Sequence, residues 1–144
     1  MPRRLELHQD RLFPADPNVR AIARNLYGAV RDLPIISPHG HTDPAWFAND
    51  EPFPNATDLF IAPDHYLYRM LYSQGAALKD LRVEANGARA TADPRAAWRL
   101  FARNFRLFGG TPSWLWLNWV FKEVFRFELR LDEDTAGAYF LGIG

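Results

Sequence analysis

Cysteine is absent from this chain. That excludes a disulfide scaffold and any thiolate-bound metal, so a metal site here must be built from imidazole and carboxylate. An excess of charge is absent as well: Lys plus Arg and Asp plus Glu each number 17, a formal net charge of zero. Balanced charge argues against a strong sequence-independent pull toward nucleic acid or an anionic lipid surface, and no basic patch or nucleic-acid motif stands out. Long apolar runs are also missing. The longest, "WLWL" and then "WVF" at residues 114–121, is broken by Asn118 and falls far short of the roughly 20 residues of a membrane span. The opening "MPRRLELHQDRLFPADP" has arginines without an apolar stretch behind them, unlike a secretory signal. The expectation is a cytoplasmic protein with neither membrane nor nucleic acid as a partner. Internal repeats and low-complexity tracts are lacking too.

What is present is core-forming material. Of 144 residues 48% are hydrophobic, enough for one buried core and too short a chain for two comfortable domains. Residues 17–31 read as a helix, capped by Asp16 and opened by Pro17, with Val19, Ile22, Ala23, Leu26 and Val30 as its apolar stripe. A second helix begins near Pro63 and Asp64, runs to Ser73 and ends at Gly75. Residues 93–108 form the clearest helix: Asp93 caps it, Pro94 opens it, and Trp98, Phe101, Phe105 and Phe108 recur at helical spacing. Another runs from Thr111 or Pro112 to about Phe127. Apolar residues nearly surround it, and Asn118, Lys122 and Arg126 mark its polar stripe. Such a helix is packed on several sides or forms an interface with further chain or another subunit. A last helical start lies between Asp132 and Phe140.

Residues 33–37 are short, apolar and isoleucine-rich, which suits a buried strand. Residues 58–61 and 81–85 are weaker strand candidates. A buried strand needs neighbours to pair its backbone groups, and this chain does not obviously supply them. It reads as the start of a larger α/β protein.

The stretch "LPIISPHGHTDPAWF", residues 33–47, holds the densest chemistry. In an extended backbone, side chains at i and i+2 point the same way, so His39 and His41 face one side, with Gly40 leaving room between them. Two imidazoles can hold one edge of a divalent metal site, and the end of a strand is where a (β/α)8 barrel carries its active site. His-x-His alone is a weak signal, since histidines that merely face solvent or fill a core are common. Asp43 suits a turn or the cap of the next helix better than a ligand position.

The second constellation is "PDHYLYRMLYSQG", residues 63–75. His65 and Arg69 stand at i, i+4 and share a helix face, with Tyr66 one position round. The early turn of a helix favours an anion, arginine grips a carboxylate with two parallel bonds, and a tuned tyrosine transfers protons. The plain alternative is a water-facing surface helix.

The segments "PIISPHGHTDPAWF", "DLFIAPDHYLYRMLYSQG" and "DPRAAWRLFARNFRLFGGTPSWLWL", in this order, resemble the N-terminal part of the uronate (glucuronate) isomerases of the amidohydrolase superfamily. The resemblance covers about residues 5–134. His-x-His is shared across that superfamily, whereas the "DHY…R" and "GTP…W" segments are much more specific to this family. The resemblance implies aldose–ketose isomerisation of hexuronates: D-glucuronate to D-fructuronate, and D-galacturonate to D-tagaturonate. It implies an α/β fold, a distorted (β/α)8 TIM barrel with extra helices after the first strand. In those terms residues 1–144 are a single incomplete domain, mostly helical, with the first barrel strand near 33–37 and a helical insertion over about 43–144.

By the same resemblance, His39 and His41 are metal ligands, and the divalent metal is most often zinc. Tyr66 is the candidate catalytic proton-transfer residue, with His65 and Arg69 binding substrate. The partner is a small-molecule uronate, and a homo-oligomer is compatible with the family. The family's acidic metal ligand comes from a later strand not present in this sequence. Near Trp119 the family often has a histidine and near Arg126 a glycine, so "LNWVFKEVFRF" departs from the pattern twice. Two other readings stay open on residues alone: a metal-dependent hydrolase of the same superfamily, and a non-catalytic helical interaction module.

Overall fold

Six α-helices carry the regular structure of residues 3–37, 43–84, 86 and 90–144, the part of the chain that the computed structural model describes. They are α1 (Pro17–Val30), α2 (Ala45–Asn49), α3 (His65–Ser73), α4 (Pro94–Asn104), α5 (Pro112–Trp119) and α6 (Ala136–Ile143). Wider π turns occupy Thr57–Ile61 and Val120–Val124, and tighter 3-10 turns occupy Leu78–Leu81 and Phe105–Phe108. No strand occurs among the described residues; Arg4 and Leu129 form an isolated antiparallel bridge. No helix among them is long and apolar enough to cross a membrane. The chain divides into two compact units, Leu7–Glu51 and Met1–Glu6 with Pro52–Gly144.

The larger unit is built on α4. The Asp93 carboxylate accepts the Arg95 N–H at 2.9 Å, and Pro94 occupies the first turn, where no N–H is needed. Trp98 and Phe101 are buried on one face of α4, and the row continues with buried Phe105 and Phe108 in the 3-10 turn into which the expected helix over 93–108 tightens after Asn104. Phe121 and Tyr139 meet this row from other elements, with ring centroids 5.0 Å apart and nearly perpendicular, and Phe127 stacks on Tyr139 at 3.8 Å. The Trp98 indole N–H donates to the Ala136 carbonyl at 3.0 Å, and the Tyr139 hydroxyl donates to the Leu129 carbonyl. Gly142 passes so close to Phe127 that a Cβ would sit 2.9 Å from its ring. Leu5 N–H and Arg130 N–H bond to Glu128 and Arg3 carbonyls at 2.8 Å each, clipping the N-terminal arm to the segment before α6.

A buried ion pair ties the π turn to the loop before α4. Arg82 Nε lies 3.2 Å from Asp58 Oδ1, with the two side chains 15% and 5% exposed. Asn55 donates to the other Asp58 oxygen at 2.8 Å, and Arg82 donates to the Ala92 carbonyl at 2.6 Å. Thr57 donates to the Pro94 carbonyl at 2.6 Å, which fixes the same π turn to the start of α4.

In the smaller unit α1 starts as its sequence predicts, with the Asp16 carboxylate accepting from Asn18 N–H and Val19 N–H at 2.9 Å. Asp10 pairs with Arg24, and Phe13 meets the Tyr27 ring edge-on at 5.8 Å. The stripe of Val19, Ile22, Leu26 and Val30 is exposed, and no described residue of this unit is buried. The stripe is amphipathic without a covered face.

None of the three expected strands is formed among the described residues. Residues 33–37 form no strand: Ile35 and Ile36 are 93% and 89% exposed, and no neighbouring strand exists among the described residues to take their backbone bonds. Residues 58–61 lie in a π turn, begun by the Asn55 side chain accepting the Asp58 N–H at 3.0 Å. There the consecutive Phe60 and Ile61 are both buried, which an alternating strand does not allow. At 81–84 a 3-10 turn ends at Leu81 and Arg82 turns left-handed at φ 64°, which reverses the chain; Ala85 lies outside the described residues. The polar stripe after Pro112 is also redrawn. The π turn at Val120–Val124 breaks the spacing of four, Asn118 is buried with its amide on the Trp114 carbonyl at 2.8 Å, and Arg126 lies beyond the helix. Leu117, Val120 and Phe121 are buried, while Trp116, Trp119 and Val124 are exposed, so packing covers one side.

Two outcomes follow from these contacts. Asp58→Ala leaves the Arg82 guanidinium buried without its carboxylate, and urea unfolding should show a loss of about 3 kcal/mol. Burial pushes the Tyr139 phenol well above its usual range, and the Asp132 carboxylate adds to the rise. The folded state therefore favours the neutral phenol, so stability is full below the unfolded value of about 10 and falls as pH rises past it. Tyr139→Phe should flatten that alkaline fall and cost about 1 kcal/mol at neutral pH, read from unfolding curves on both sides of about pH 10.

Candidate active site

Helix α3 carries three of the five expected site residues. Its start is set by Asp64, whose carboxylate accepts the Tyr66 N–H at 2.8 Å. Its end is set by Gly75 at φ 94°, where Gly75 N–H and Ala76 N–H return to the Tyr72 and Leu71 carbonyls at 3.0 and 3.1 Å. That paired return is the helix stop a left-handed glycine makes possible. Between the two ends, Leu67 and Leu71 stand at i, i+4 and are buried in the core.

Those two anchors decide which way the rest of α3 faces. At about 100° per residue, Arg69 lies opposite the leucine pair, with His65 and Tyr66 on either side of it. All three are exposed, Tyr66 at 70%. The His65 and Tyr66 rings lie 4.3 Å apart, tilted by 33°. The helix therefore presents an imidazole, a phenol and a guanidinium together on its water-facing side, beside the positive end of its dipole. These groups can grip a carboxylate and pass a proton.

The other two, His39 and His41, lie outside the described residues. Among the described residues no cluster of three histidine, aspartate or glutamate side chains is placed to hold a metal ion. Asp43 is described, and its carboxylate accepts the Ala45 N–H at 2.9 Å at the start of α2, the turn role expected for it.

A family profile described as glucuronate isomerase matches residues 17–141. The chain belongs to the glucuronate isomerase family. A uronate isomerase of Phenylobacterium zucineum is 65% identical over 144 residues, which is all of this chain and 30% of that protein. One from Xanthomonas axonopodis pv. citri is 63% identical over 137 residues, 94% of this chain and 29% of that protein. The crystal structure of glucuronate isomerase from Caulobacter crescentus matches with a TM-score of 0.91 at 59% identity, covering 98% of this chain and 29% of that one. The chain thus spans about 30% of the length of the curated relatives it matches.

Arg126 holds φ 62°, in the left-handed region where a Cβ is penalised and glycine is not. The arginine keeps that backbone, with its guanidinium 3.4 Å from Glu123. Trp119 sits half-exposed at the end of α5. Sequence reasoning passed over Asp58 and Arg82, which support the turn ahead of α3; the Asn55 to Asp58 spacing of a side-chain cap was the available signal.

Asp64→Ala removes the α3 cap. Stability should fall by about 1 kcal/mol, and amide exchange should accelerate at Tyr66 while Leu71 stays protected, as read by hydrogen exchange followed by NMR.

Proposed function

We propose that this chain is the N-terminal part of an enzyme that interconverts D-glucuronate with D-fructuronate and D-galacturonate with D-tagaturonate. Membership in the glucuronate isomerase family carries the reading. The grouping of His65, Tyr66 and Arg69 on the exposed side of α3 supports it. Such an exchange removes the carbon-bound proton at C2, passes through an enediol and returns a proton to C1. It needs a base, an acid and donors for the charge that develops on oxygen. Tyr66 is the proposed proton-transfer group. His65 and Arg69 supply donors for the substrate carboxylate, which Arg69 can hold with two parallel bonds.

His39 and His41 are the proposed holders of a divalent metal. Their donor type suits zinc, and a catalytic site needs at least one more protein ligand besides the pair. When bound, the metal supplies Lewis-acid polarisation of the sugar's oxygens. In the whole protein we propose a (β/α)8 barrel with residues 33–37 as its first strand and about 43–144 as a helical insertion. The exposure of Ile35 and Ile36 is what a strand awaiting its neighbours would show.

The test is a chain completed with the remaining sequence of the Phenylobacterium zucineum relative. It should convert D-glucuronate to D-fructuronate. His39→Ala and His41→Ala should each remove bound metal, measured by elemental analysis, together with turnover. Tyr66→Phe should cut kcat by roughly 100-fold or more while metal stays bound. Hydrolysis of amides, esters or lactones without uronate exchange would replace the proposal with the hydrolase reading. Full turnover with both histidines replaced would overturn the metal assignment.

A further inference from the structure

Helix α4 buries its aromatic row on one side and carries Arg95, Arg99 and Arg103 on the other, at i, i+4 and i+8. Each step of four rises about 6 Å, so the row spans about 12 Å of the helix. It borders an open groove of about 400 Å3 that Ala96, Leu100 and Glu133 also line. Arg95 is held with its guanidinium 5.0 Å from the centre of the Phe140 ring. Asp93, at the groove's end, is engaged as the α4 cap. Among the described residues, no carboxylate pairs with Arg99 or Arg103, and Glu133 lines the same groove without closing an ion pair across it. A second concavity of about 320 Å3 shares Leu100 and Arg103 and adds Gln74 and Asn104, so the groove continues toward the end of α3. That end lies about nine residues, or roughly 13 Å, along the helix from His65 and Tyr66.

We propose that this groove binds a small carboxylic acid that carries several hydroxyl groups. Two unpaired guanidiniums on one helix face offer forked donors to a carboxylate. Glu133 supplies an acceptor for hydroxyl protons, which a simple anion site would avoid. The apolar side chains of Ala96 and Leu100 in the lining accept the C–H face of the carbon chain. The site is separate from the α3 constellation and does not rest on the proposed isomerase activity.

The probe is D-gluconate, a polyhydroxy acid, titrated into the isotope-labelled 144-residue chain and followed by NMR. Sorbitol, acetate and sodium chloride at matched ionic strength are the comparisons. Gluconate should give saturable shifts at the Arg99 and Arg103 side-chain N–H groups and the Leu100 amide. Sorbitol should give none, and acetate should bind more weakly. Arg99→Gln and Arg103→Gln should each weaken gluconate by about tenfold, the loss of one charge-assisted interaction, while Arg126→Gln, at a residue that does not line the groove, leaves it unchanged. Shifts no larger than those with chloride would overturn the site. So would acetate binding as tightly as gluconate, or binding lost with Arg69→Gln and kept with Arg99→Gln and Arg103→Gln.

Discussion

Two buried donors organise the larger unit of this chain. Trp98 and Tyr139 are wholly enclosed, and each brings a hydrogen that cannot be left without an acceptor. The Trp98 N–H lands on the Ala136 carbonyl and the Tyr139 O–H on the Leu129 carbonyl. Both bonds therefore fall on the stretch that forms α6 and its approach. Ring packing by Phe101, Phe121 and Phe127 supplies the apolar area, but area has no direction. The Trp98 bond fixes α6 against α4, and the Tyr139 bond ties α6 to the segment before it, which through Leu129 and Arg130 holds Arg3 and Arg4 of the N-terminal arm.

The site residues depend on that block through α3. Leu67 and Leu71 are drawn into the core, and because a helix is rigid, the opposite side must turn to water. His65, Tyr66 and Arg69 are consequently grouped by what the leucines bury. The Asp58 and Arg82 pair plays the matching part for the chain entering α3. It holds the π turn at Thr57–Ile61 against the loop before α4, where one charge without the other would be costly. The groove on the outer side of α4 has the same origin: once the aromatic row is inward, the arginines have nowhere else to go.

Local chemistry was the readable part. Asp16 and Asp93 cap their helices as expected, and Asp64 and Thr111 prove to cap the helices that the sequence starts near them, because a cap acts on an N–H two or three residues ahead. Gly75 stops α3 because the left-handed turn is open to glycine. The α4 aromatic row was visible as a period. The errors lie where two local patterns compete. Residues 58–61 have strand-like composition, yet the Asn55 cap and two consecutive buried side chains make a π turn. After Trp119 a second π turn shifts the register, so a spacing of four no longer means a shared face. The strand expected at 33–37 asks for partners that the described residues do not include. A strand is a property of at least two chain segments, whereas a capped helix belongs to one.

The sequence by itself determined where helices α1, α3, α4 and α5 begin, which aromatic row of α4 is buried, and which family the chain resembles. All of these rest on interactions within one or two turns, or on motifs read in order along the chain. The tertiary structure alone decided that Asp58 and Arg82 meet, that Asn118 is inside and Trp116 outside, and that His65, Tyr66 and Arg69 face water while Leu67 and Leu71 do not. It also placed Glu133 in the lining of the groove that the α4 arginines border. Those outcomes join residues distant in sequence, and their energies come from desolvation and packing, which exist only once the segments have closed on one another.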